Sequence, residues 1–64
     1  MSEREAKFEA MLAAVQKNFD DTVAKMERLK AQDKTKTATY RQLLGDKLLY
    51  QNMLTLYRVH GLID

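Results

Sequence analysis

Residues 43–63, "LLGDKLLYQNMLTLYRVHGLI", carry apolar side chains on nearly every side of what their spacing makes a helix. Leu43, Tyr50, Leu54 and Tyr57 follow one heptad track, broken only by Lys47. Leu49, Met53, Leu56 and Ile63 follow a second, broken by His60, and Leu44, Leu48 and Val59 form a flank beyond it. At about 100° per residue the two tracks lie about 115° apart around the helix. One neighbouring helix covers one track. A helix apolar on several faces belongs in a core, so any fold of this chain must supply a second cover.

The chain has little from which to build one. With 64 residues it forms at most one domain, here a single helical-hairpin domain over residues 1–64. A compact chain of this mass buries only about 60% of its unfolded surface, and such chains usually rely on disulfides, a metal or a partner. There is no cysteine, which removes disulfides and thiolate metal sites together. The one histidine, His60, cannot build a zinc site without several carboxylates beside it. Oligomerisation is the source of stability that remains.

The first half of the chain reads as one long helix. Phe8, Leu12, Val15, Phe19, Thr22, Met26 and Leu29 recur at alternating steps of four and three, a heptad seam with Thr22 its one polar member. Neither Pro nor Gly interrupts residues 2–44. "SERE" supplies a capping box with Ser2 as N-cap and Glu5 reaching back. Glu3 with Lys7 and Asp21 with Lys25 make favourable four-residue pairs.

"AQDKTKTAT" then breaks the pattern, because Asp33 and the threonines favour caps and turns over helix interiors. Thr39 with Gln42 offers a second capping box, so the next helix is expected to start near Tyr40. Gly61 suits the left-handed cap at its far end, with Leu62 folding back onto it. Gly45 either permits close helix approach or allows a local bend. The predicted fold is an all-α antiparallel hairpin, with a helix over about residues 3–32, a turn over about 33–39 and a helix over about 40–60. To cover the second track, two such hairpins are expected to assemble as a homo-oligomer, most simply a dimeric four-helix bundle. The seam for self-association is Leu49, Met53, Leu56 and Ile63.

Charge and motifs narrow the function classes. The amino-terminal "MSEREAKFEA" lacks the basic-then-apolar pattern of a signal peptide, and no apolar run approaches the ~20 residues of a membrane span. The expected setting is therefore cytoplasmic, with no membrane partner. At 45% hydrophobic and 31% charged residues, the composition is not that of a disordered chain. No Gly-rich phosphate loop, Cys/His cluster or glycine-flanked serine is present. The segment from Asp33 begins like a calcium loop but has Ala38 in place of the sixth-position glycine and Leu44 in place of the final glutamate. His60 has no acid among Leu56, Tyr57, Arg58 and Val59, so its place at a helix end, favoured by the dipole, accounts for it better than catalysis. These residues point away from an enzyme, a cofactor or a small-molecule substrate.

What remains is binding. The expected function is a small non-enzymatic interaction or regulatory module whose partner is itself, with an unidentified cytoplasmic protein as a further candidate. The alternative is a nucleic-acid-associated accessory protein. From Arg28 to Lys47 six bases face two acids, a local charge of +4, within a net charge of +2. Lys30, Lys34, Lys36 and Arg41 would gather at the hairpin tip, where interleaved threonines can also reach phosphate oxygens. A lysine-rich polar turn is nevertheless what any helical hairpin of this kind carries. A helix-turn-helix reading of residues 39–63 fails on its own terms, since leucines stand where base-reading polar residues belong.

Overall fold

A computed structural model describes residues 2–63; Met1 and Asp64, the ends of the expected domain, lie outside them. Two helices, α1 (Glu3–Ala31) and α2 (Ala38–Val59), pack against each other. The Phe8 ring, two turns into α1, meets the Tyr57 ring near the end of α2 edge to face, with centroids 5.6 Å apart. The helices are therefore antiparallel. The molecule is a rod measuring 47 × 20 × 17 Å.

Both ends of each helix are closed by local chemistry. At the start of α1 the Ser2 hydroxyl accepts a hydrogen bond from the Glu5 backbone N–H at 3.2 Å, satisfying one of the donors that a helix start leaves open. Glu3 and Lys7 meet at 3.2 Å on the exposed side. The analogous Asp21–Lys25 contact does not form among the described residues. At the end of α1, Asp33 adopts a left-handed backbone (φ 58°). This lets the Lys34 N–H donate to the Leu29 carbonyl at 2.8 Å, and the Asp33 N–H to the Lys30 carbonyl at 3.0 Å. That pair of bonds is a Schellman motif. The same motif ends α2, with Gly61 at φ 74° and the Leu62 N–H donating to the Tyr57 carbonyl at 2.8 Å.

The start of α2 departs from the expectation. The N-cap is Thr37, not Thr39, and the helix begins at Ala38. The Thr37 hydroxyl donates to the Lys34 carbonyl at 2.9 Å and accepts from the Tyr40 N–H at 3.2 Å. One side chain thus ties the loop and opens the helix. Thr39 lies inside the first turn, where its capping box cannot form.

The heptad seam of α1 is the inner face. Val15, Thr22 and Met26 are buried, and Phe8, Leu12, Phe19 and Leu29 are half-buried. Facing them on α2 is the first apolar track, Leu43, Tyr50, Leu54 and Tyr57, all half-buried together with Lys47. The aliphatic stem of Lys47 is suited to lie along an apolar seam while its ammonium stays in water. Among the described residues Val15 and Met26 are the entire buried hydrophobic core, and α2 contributes no fully buried residue. Two helices covering one stripe each cannot do more.

Candidate self-association surface and basic tip

Residues on the outer side of α2 set the character of the molecular surface. Leu44, Leu48, Leu49, Leu56 and Val59 are all exposed, Leu49 and Leu56 by 57% and 58% and Val59 by 74%. Leu62 is exposed just beyond the helix. Among the described residues Met11 is the one large hydrophobic side chain that α1 leaves exposed. At about 100° per residue the exposed α2 side chains span an arc of about 140°. Patches of this kind on a small protein mark contact sites.

The expected seam divides within this arc. Leu49 and Leu56 lie fully on the exposed face, whereas Met53 and Ile63 are half-buried. The exposed face is centred further round the helix than the seam, so that Leu44, Leu48 and Val59 join it as full members. Gly45 and Asn52, both exposed, lie inside the same arc. A Cβ placed on Gly45 would meet no heavy atom within 4 Å, and α2 runs through it unbroken. Gly45 therefore serves no close helix approach within the chain and ends no helix.

The surface area of the whole chain gives a scale for how much cover the rod lacks. The hairpin exposes 5209 Å², whereas a compact protein of 7.5 kDa exposes about 4,250 Å² by size scaling. The excess, roughly 950 Å², is close to the ~800 Å² that each partner contributes to a standard protein interface.

The basic residues occupy the closed end of the rod. Lys30 lies in the last turn of α1, Lys34 and Lys36 in the connecting loop, and Arg41 near the start of α2, and all four are exposed. An open groove of about 390 Å³ runs beside this end, lined by Leu29 and Leu43 with Lys25 and Arg28 at its rim. Neither of those two bases was among the four singled out in the sequence. Arg28 opens the basic run of the sequence, whereas Lys25 lies outside it among Asp20, Asp21 and Glu27. At the opposite end a larger groove, about 620 Å³, runs over Phe8, Leu12 and Leu62 with Arg4, Glu5 and Glu9 around it. His60 is exposed at the carboxyl-terminal cap of α2.

Among the described residues no three of the Asp, Glu and His side chains gather to hold a metal ion, and no helix is long and apolar enough to cross a membrane. No family model, curated protein or solved structure matches this chain.

Proposed function

We propose that this protein is a cytoplasmic, non-enzymatic interaction module that works as a homo-oligomer, most simply two hairpins forming a four-helix bundle. The observation that carries the reading is the exposed apolar arc of α2 beside a core of only two buried hydrophobic residues. Burying that arc against a second copy adds the core that a single hairpin lacks. A regulatory or adaptor role follows if assembly creates a surface that one hairpin does not have. The test is the light-scattering mass of untagged protein. The wild type is expected well above 7.5 kDa at micromolar concentration. The Leu49→Glu/Leu56→Glu double variant is expected to fall toward the monomer mass. A wild-type monomer would reject the proposal.

A second reading has its own support in the exposure of Lys30, Lys34, Lys36 and Arg41 at one end of the rod. There the protein would hold RNA or DNA by phosphate contacts alone, without base readout. Changing all four to Ala would then weaken binding alike across sequences, and the salt slope would fall by about one unit per lost contact. Tight retardation of nucleic acid at physiological salt, abolished in the fourfold variant with its helical signal intact, would rank this reading first.

A further inference from the structure

Resting on the reading that the outer face of α2 is a self-association surface, we infer that two copies pair through α2, antiparallel, about a two-fold axis beside Asn52. Two-fold closure sets the same patch of both copies together. The exposed large hydrophobic residues lie on α2 or just past it, with Met11 alone on α1 among the described residues. Patch on patch is therefore α2 on α2.

Charge sets the direction. The closed end of the hairpin, residues 28–47, holds six bases against two acids, whereas the open end, residues 2–9 with 58–63, holds three bases (Arg4, Lys7, Arg58) against three acids (Glu3, Glu5, Glu9). A parallel pair would place two such basic ends side by side. An antiparallel pair sends them to opposite ends of a rod 47 Å long, several times the ~8 Å over which salt screens charge. Each basic end then lies alongside the open end of the other copy, where Glu3, Glu5 and Glu9 balance Arg4, Lys7 and Arg58, instead of beside a second basic end.

Shape sets the register. Gly45, Asn52 and Val59 recur every seven residues and fall within about 40° of one another along the middle of the exposed arc. Antiparallel pairing centred on Asn52 brings Gly45 of each copy opposite Val59 of the other, and Leu49 opposite Leu56. Gly45 is a notch with open space where a Cβ would be. Val59, 74% exposed, is the most accessible of the exposed large hydrophobic residues. The knob on each copy meets the notch on the other. Asn52 meets itself, and its amide carries both donor and acceptor, so the two satisfy each other across the axis. A polar residue in an otherwise apolar helix seam fixes register in this way. Parallel pairing would set Gly45 on Gly45 and leave a void there.

The chain has no cysteine, so introduced cysteines report the arrangement directly. Gly45, Asn52 and Val59 are exposed in the single hairpin, and substitution there disturbs no packing within it. Two cysteines join only when their Cα atoms come within about 7 Å. Under mild oxidation Asn52→Cys is expected to give a covalent dimer, as is the double variant Gly45→Cys/Val59→Cys. Gly45→Cys alone is expected to stay unlinked, since its two copies lie about 21 Å apart along the antiparallel pair. Gly45→Leu fills the notch while favouring the helix. It should weaken dimerisation at least about tenfold, with full helical signal at concentrations where the dimer still forms. Efficient linking of Gly45→Cys alone would mean a parallel pair and overturn the inference while leaving self-association standing. A dimer that neither Asn52→Cys nor the double variant links would overturn the register, as would Gly45→Leu dimerising as tightly as the wild type. A monomer mass for the wild type would remove both this inference and the reading beneath it.

Discussion

Two residues in the connecting loop shape the hairpin more than their exposure implies. Thr37 makes two hydrogen bonds, to the Lys34 carbonyl and from the Tyr40 N–H, and so fixes both where the loop turns and where α2 starts. Thr37→Ala is expected to cost about 1 kcal/mol, the usual loss for a removed cap. Thr39→Ala should be neutral or slightly stabilising, because Ala is the better residue inside a first turn. Urea midpoints at matched protein concentration check the contrast. A loss at Thr39→Ala with none at Thr37→Ala would return the cap to Thr39. Asp33 is the one non-glycine residue with positive φ among those described. A left-handed backbone costs an L-residue energy that glycine avoids, less for Asp than for most. Asp33→Gly is expected to gain about 0.5–1 kcal/mol even after the entropy that glycine adds to the unfolded chain. A loss of stability would mean that the Asp33 side chain contributes more than its backbone strain costs.

At the scale of the helices, the inner faces were legible in the sequence and the outer one only in part. The alternating four- and three-residue steps from Phe8 to Leu29 can face one neighbour only, and these residues are the buried or half-buried seam of α1. The track from Leu43 to Tyr57 faces it for the same reason. The start of α2 was not legible because Thr37 and Thr39 carry the same hydroxyl. The choice between them is made by the Lys34 carbonyl, whose position depends on the left-handed turn at Asp33. Of the outer seam read from the sequence, Leu49 and Leu56 are exposed in the single hairpin and Met53 and Ile63 half-buried. Met53 lies on the side of its track nearer the first and is half covered by the hairpin itself, while Val59, on the flank of that track, is the most exposed of the set. A paired substitution separates the two faces. Met26→Ala removes a buried seam residue and is expected to cost about 2–5 kcal/mol. Leu56, 58% exposed in one hairpin, would change the stability of a monomer by about 0.5 kcal/mol or less when truncated to Ala. In the proposed assembly it is expected to cost about 2–5 kcal/mol per buried side chain. Denaturation curves showing a negligible effect at Leu56 beside a large one at Met26 would count against burial of the outer face.

For the whole molecule, the deciding quantity is how little a single hairpin encloses. Its buried hydrophobic residues number two among those described, Val15 and Met26. Ordering each residue costs roughly 1.5 kcal/mol, an expense that small chains meet only with staples or partners. This chain has no cysteine with which to form a disulfide. On the proposed reading, folding and association are therefore coupled, and the stability of the protein belongs to the assembly. Coupling of this kind makes the melting temperature depend on protein concentration, which it does not in a monomer. The most direct measurement is the thermal melt of the wild-type helical signal across about a hundredfold range of concentration. A melting temperature that climbs steadily with concentration is the predicted result. A melt that stays at one temperature throughout, with a monomer's mass in the same samples, would contradict the account.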